Sequence, residues 1–209
     1  MLVRLHAQLL REALDGRLSP RALEAVILGN LGQDNLRGQL GHDEYHFDNN
    51  AFEKTRGYLE VQRGLILSAL QRGDVASAWS SFGRLTHALQ DFYAHTNYVA
   101  LWLSRNGDPA PAPDGIDPAD PELITSPALR SGKTYYPQEA LYFVPGLRRL
   151  ALSILPRDSH AHMNLDSAEQ GPLFEYAYQA ALKRTVSEFE ALRSSLRPEL
   201  LALFTDLGR

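Results

Sequence analysis

Residues 75–104 carry apolar side chains three or four positions apart over a stretch with no proline. That period predicts one long amphipathic helix, and the rest of the chain must pack around it. Neighbouring segments repeat the period. Residues 2–15 place Leu5, Leu9, Leu10 and Ala13 on one stripe before Asp15-Gly16 stops the helix. Ser19 and Pro20 supply an N-cap and a first helical residue for a second helix over 20–31. Residues 51–72 predict a third, closed by Gly73, with Asp74 capping the next. A short helix over 138–153 broken at Pro145, a long one opened by Gly171-Pro172 and running to about 195, and a last one opened by Pro198 complete the set. No segment alternates as a strand does. The expected fold is all-α, a single-domain helical bundle over 1–209. Residues 32–50 and 105–137 read as long loops, the second holding seven of the twelve prolines, and loops of that length usually carry function. Residues 157–171 read as a polar loop.

Composition removes several classes. With no cysteine there is no disulfide, thiolate zinc site, iron–sulfur cluster or cysteine nucleophile. No apolar run is long enough for a transmembrane segment. The N-terminal residues lack an apolar core and a small-residue cleavage site, so no signal peptide is visible and the expectation is a cytoplasmic protein or one exported by a non-classical route. A net charge of −4 without a dense basic tract argues against nucleic acid as a partner. The seven histidines remain. Any transition-metal site here must combine them with Asp or Glu.

The segment THALQDFYAHTNYV, 86–99, places His87, Asp91 and His95 four residues apart. Each step of four turns the helix by about 40°, so the three share one stripe. His87 and His95 stand roughly 12 Å apart along the axis, too far for one ion with bonds of about 2.1 Å. Asp91 between them can give one oxygen to each of two ions. Gly83 and Ala94 on the same stripe leave room beside the ligands. The competing reading is a set of satisfied polar groups in the core. His6 lies on the inward stripe of the first helix, Asp34 follows the second, His46 sits beside Asp48 in HFDNN, and His160 and His162 precede Asn164 and Asp166 in SHAHMNLDS. His42 has no evident partner and reads as solvent-exposed.

Taken in order, these residues resemble the zinc-dependent phospholipase C family and its Het-C-like relatives, with the zinc nucleases as distant fold cousins. The likeness rests on seven ordered positions, His6, Asp34, His46, His87, Asp91, His95 and His160, and on the phrases HALQDFYAHTNYV and MNLDS. It implies a bundle of the zinc-dependent phospholipase C type holding two or three zinc ions. The metal ligands it implies are His6, Asp34, His46, His87, Asp91, His95, His160 and Asp166, with Asp34 also the catalytic general base. The chain departs from the family in three places. It begins Met1-Leu2-Val3-Arg4, without the family's N-terminal tryptophan, whose amine and carbonyl bind one zinc. It has Asn164 four residues after His160, where the family has glutamate. It shows no signal, although the family is usually secreted. Asp166 can replace the glutamate, and a register on His162 would give Asp166 the family spacing; His160 is favoured because Met163 then takes the family's apolar position.

The function implied by the resemblance is a zinc-dependent phosphodiester hydrolase, a phospholipase C acting on phosphatidylcholine-like headgroups. A zinc-activated water would attack the phosphoryl group. Phe92, Tyr93, Tyr98, Tyr135 and Tyr136 would shape a headgroup pocket. The partner would be a phospholipid substrate or membrane surface. The alternatives are a zinc nuclease and a Het-C-like, metal-stabilised membrane or toxin interaction domain without turnover.

Overall fold

A computed structural model describes the whole chain apart from Leu40, Asp108, Pro145 and Arg209 and the side chains of Leu36 and Arg37. The described residues are helical, with two isolated bridges, Thr96–Ser131 and Lys133–Ser159, and no strand. The helices are α1 (Val3–Leu14), α2 (Pro20–Leu31), the single turns α3 (Leu36–Gln39) and α4 (Asp43–His46), α5 (Phe52–Gln71), α6 (Val75–His95), α7 (Tyr98–Asn106), the turn α8 (Pro121–Ile124), α9 (Arg148–Ile154), the turn α10 (His160–Met163), α11 (Leu173–Ser195) and α12 (Pro198–Thr205). The chain is the expected all-α single-domain bundle.

The bundle is built around α6. Helices α2, α5 and α11 pack on its three sides, and α1 lies across α2 and α11. From Ser81 to His95 only Arg84 of α6 is exposed. Phe82 meets Phe189 and Phe204 edge-on, with centroids 6.4 and 5.4 Å apart, and Trp79 Nε1 donates to the Phe204 carbonyl at 2.7 Å. Arg63 of α5 holds Glu188 of α11 bidentately at 2.7 and 2.9 Å. The predicted start and stop signals act as such. Ser19 Oγ accepts from Ala22 N, Asp74 accepts from Ser77 N, and Gly73 takes φ +74° after α5.

The expected 75–104 helix is two helices. Thr96 is extended, its Oγ1 donates to Phe92 O at 2.7 Å, and it accepts from Tyr98 N at 3.2 Å. Segment 130–132 supplies partners that continued helix would have provided, Gly132 N donating to His95 O and Asn97 N to Arg130 O. The 32–50 loop is also more ordered than expected, with a 3-10 turn Gly32–Asp34, α3, α4 and a 3-10 turn Asp48–Asn50. Within 105–137 the chain forms the end of α7, a 3-10 turn Pro113–Gly115 and α8. Within 157–171 it forms α10 and the 3-10 turn Ala168–Gln170. The 138–153 helix is a 3-10 segment, Gln138–Phe143, followed by α9; the break expected at Pro145 falls on a residue outside those described.

Candidate metal centre

The HFDNN segment shows how the site is shaped locally. Phe47, Asn49 and Asn50 all take left-handed φ, between +54° and +58°. Asn tolerates that region and Phe does not without support. The support comes from 131–134. Asn49 N donates to Gly132 O, Asn50 N to Ser131 Oγ, Ser131 N to Asn50 Oδ1 and Thr134 N to Asn49 Oδ1, all at 2.8–2.9 Å. Gly132 lets this segment lie against α10, since a Cβ there would stand 2.6 Å from His160 Cα. The curl brings both His46 and Asp48 to the face of α6 that carries His87, Asp91 and His95.

Six segments then converge. His6 comes from α1, Asp34 from the turn after α2, His46 and Asp48 from the curl, His160 from α10 and Asp166 from just beyond it. Asp91 sits at the middle, fully buried. Its Oδ2 lies 2.9 Å from His46 Nδ1 and 3.1 Å from His87 Nε2. Its Oδ1 lies 3.2 Å from His6 Nε2 and 3.8 Å from His95 Nε2. Asp34 completes one side, 3.7 Å from His87 Nε2 and 4.0 Å from His6 Nε2. On the other side His95 Nε2 is 3.1 Å from Asp166 Oδ1 and 3.3 Å from His160 Nε2, with Asp48 Oδ1 3.3 Å from His95 Nδ1. Three sets have ligand atoms close enough to share an ion: His6, Asp34 and His87; His46, His87 and Asp91; and Asp48, His95 and His160.

An outer layer aims the imidazoles. His6 Nδ1 meets Gln90 Oε1 at 2.6 Å, His87 Nδ1 meets Asn30 Oδ1 at 3.3 Å, and His95 Nδ1 meets His46 O at 2.9 Å. These partners are acceptors, so the proton of each neutral ring sits on Nδ1 and the Nε2 lone pair faces inward. Asn30 and Gln90 are themselves held, Asn30 Nδ2 donating to Gln90 Oε1 and Gln90 Nε2 to Thr185 Oγ1.

Lone pairs therefore face carboxylate oxygens and other lone pairs at 3.1–3.3 Å. Acceptors that close repel unless a proton or cation lies between them. Bonds of about 2.1 Å at angles of 90–109° place neighbouring ligand atoms about 3.0–3.4 Å apart, which is the spacing found. Four buried atoms here, His6 Nε2, Asp34 Oδ2, His46 Nε2 and Asp48 Oδ1, have no hydrogen-bond partner. The donor set fits divalent zinc.

The electrostatics also call for positive charge. Burial opposes ionisation of Asp91, yet the Met1 amine, His95, His87 and His6 hold it well below the usual carboxylate range. Asp48 and Asp166 are held down in the same way against burial, Asp48 chiefly by His95 and His160, Asp166 chiefly by the Met1 amine and His95. Burial pushes His87 down to about 4, so its ring is neutral. Burial works against charge on His95 and His46 too, but the carboxylates outweigh it and raise both.

All eight ligands expected from sequence lie in this cluster. Asp48 joins them, and its place two residues after His46 was the available signal. The Met1 nitrogen also lies inside, 2.6 Å from Asp91 Oδ1 and 3.0 Å from Asp166 Oδ1, although the N-terminus was expected to contribute nothing. His162 is outside, its Nε2 at Leu152 O, and Asn164 donates to His160 O. His42 is half-buried, stacked on Tyr45 and paired with Glu44. Gly83 does not make room for ligands; its face is filled by the backbone of α2. Phe92, Tyr93 and Tyr98 are core residues rather than pocket walls, and the two tyrosine hydroxyls donate to the carbonyls of Pro118 and Asp117.

Fold and site together define an all-α domain with a buried histidine–aspartate centre. A family model described as the VWA7 N-terminal domain matches residues 5–115, and the chain belongs to that family. The von Willebrand factor A domain-containing protein 7 of Rattus norvegicus is 35% identical over 80 residues, which cover 38% of this chain and 9% of the rat protein. The match thus spans less than a tenth of that relative. No solved structure matches. These findings overturn the zinc-dependent phospholipase C resemblance. With it go the phosphodiester hydrolase activity, the phosphatidylcholine-like substrate and the nuclease and Het-C alternatives. The general-base role of Asp34 loses the reaction it served. The misleading signal has a physical origin: inward His and Asp at helical spacing answer the geometry of a buried metal centre, whatever the family.

Proposed function

We propose that this chain is a metal-binding module whose helices are tied together by a two-ion zinc centre. The observation that carries this is the spacing of inward ligand atoms, 3.1–3.3 Å between groups that repel without a cation between them. Charge supports the number. Asp34, Asp48, Asp91 and Asp166 bring four negative charges among five imidazoles that bind metal in their neutral form, and two divalent ions balance them. One position is bounded by His6, Asp34, His46, His87 and Asp91, the other by Asp48, His95, His160 and Asp166. The role is organisational: residues from 6 to 166, on elements that otherwise touch through short turns, are drawn to one point. In the rat relative the matched segment belongs to a far longer chain, and a metal-ordered unit within it is the function we assign by analogy.

Elemental analysis of metal-replete protein should give about two zinc ions per chain, with anomalous density at both positions. Asp91→Asn, which keeps the shape and removes the shared charge, should lower the content of both. Folded wild-type protein that retains no zinc after gel filtration, and whose melting temperature a chelator leaves unchanged, would refute the assignment.

A further inference from the structure

Six exposed large apolar side chains lie within one short part of the chain: Tyr136, Phe143, Val144, Leu147, Leu150 and Ile154. Phe143, Leu150 and Ile154 expose 61, 52 and 53% of their surface. The arrangement follows the helical period. On α9, Ala151 and Leu155 turn inward to a small cluster with Ala161. Leu147, Leu150 and Ile154, three and seven residues apart, share the opposite stripe. A helix apolar on both faces is normally buried on both, and here one face has no cover among the described residues.

Charge identifies the cover. Between 136 and 157 the exposed charged residues are Arg148, Arg149 and Arg157, and the one acid, Glu139, is buried and accepts from Ala161 N at 2.6 Å. Arg148 lies 4.8 Å above the Tyr142 ring and pairs with Glu169. Arg149 and Arg157 make no ion pair among the described residues. A chain of net charge −4 thus presents its apolar face inside a rim of guanidinium groups. The centre of a protein–protein interface is depleted in charge. Apolar side chains interleaved with arginine and no exposed acid instead suit the headgroup boundary of a bilayer, where the hydrocarbon sinks and the cations meet phosphate.

We propose that this face, formed by Phe143, Val144, Leu147, Leu150 and Ile154 with Arg148, Arg149 and Arg157, docks the domain onto an anionic lipid surface. The contact is interfacial, since no helix is long and apolar enough to cross a membrane. It does not depend on the metal reading, because none of these side chains is a ligand.

The test is co-sedimentation with large unilamellar vesicles, either pure phosphatidylcholine or phosphatidylcholine with about one third phosphatidylserine, at low and high salt. Wild-type protein should partition about tenfold better to the anionic vesicles, and less at high salt. Leu150→Glu with Ile154→Glu should abolish partitioning while circular dichroism and zinc content stay as in wild type. Arg149→Ala with Arg157→Ala, which leaves the apolar face intact, should remove the preference for phosphatidylserine. Three results would overturn the proposal: no partitioning of wild type, partitioning that the Glu variant retains, or a dimer in light scattering that the Glu variant splits. The last would make a second copy of the chain the occupant.

Discussion

Gly83→Ala tests how closely α2 and α6 must approach to build the centre. A Cβ at Gly83 would stand 2.2 Å from Val26 O, 2.6 Å from Asn30 N and 2.9 Å from Gly29 C. All three are backbone atoms, so no rotamer change relieves the contact. The helices must part by about 1 Å, against an interior packed at crystal density. Overpacking of this kind costs up to about 3 kcal/mol, and the helix preference of Ala over Gly returns about 1. The net is a loss of about 2 kcal/mol, a fall in melting temperature of about 4–8 °C for a chain this size. The consequence reaches the metal centre. Asn30 on α2 orients His87 through its 3.3 Å contact, and Asp34 follows α2 directly. Zinc affinity should fall about 10–100-fold, as for other lost outer-layer partners. Gly57→Ala is the control. It is an exposed position in α5 where a Cβ would meet nothing within 4 Å, so the same substitution should raise stability by up to about 1 kcal/mol. Urea unfolding and competitive zinc titration read both quantities. If Gly83→Ala stabilises as Gly57→Ala does and binds zinc like wild type, the tight crossing of α2 and α6 is wrong.

Other perturbations act on single parts of the centre. Asn30→Ala should weaken zinc about 10–100-fold in the same titration with little change in secondary structure, because it frees His87 to rotate. Gly132→Ala puts a Cβ 2.6 Å from His160 Cα and should lower occupancy at the His95–His160 position, seen by anomalous density, while leaving the His6–His87 position filled. Removing metal from wild-type protein should lower its melting temperature, since a ligand bound only by the folded state at about 1,000 times its Kd stabilises by about 4 kcal/mol. Hydrogen exchange on the stripped protein should rise first at 131–134 and 160–166, which reach the bundle through short contacts, and last in α6.

The helices were legible because period and punctuation act within one turn of chain. Ser19, Gly73 and Asp74 do in the structure what their positions predict. The stripe of His87, Asp91 and His95 was legible for the same reason. What was missed depends on partners distant in sequence. Thr96 ends α6 because 130–132 offers its backbone groups other bonds, and nothing within 75–104 announces that. The left-handed curl at 47–50 is held by 131–134, more than eighty residues away. Asn30 and Gln90 read as ordinary helix residues until the fold places them behind His87 and His6. Gly83 was given the wrong neighbour, since a glycine on a ligand stripe can as well serve the backbone of a crossing helix.

The family match and the site divide the chain at different places, and the difference is informative. Residues 5–115 contain His6, Asp34, His46, Asp48, His87, Asp91 and His95. The position bounded by His6, Asp34, His46, His87 and Asp91 therefore lies wholly within the matched segment. The other takes Asp48 and His95 from it but is completed by His160 and Asp166 from beyond it. Asp91 joins the two, one carboxylate oxygen turned to each side. A stripe of inward His and Asp thus reports where cations can sit and how helices are held, while saying nothing of a reaction. The same ligands that suggested a hydrolase serve a binding module as well, because ligand spacing is set by bond lengths and helix pitch, which are common to both.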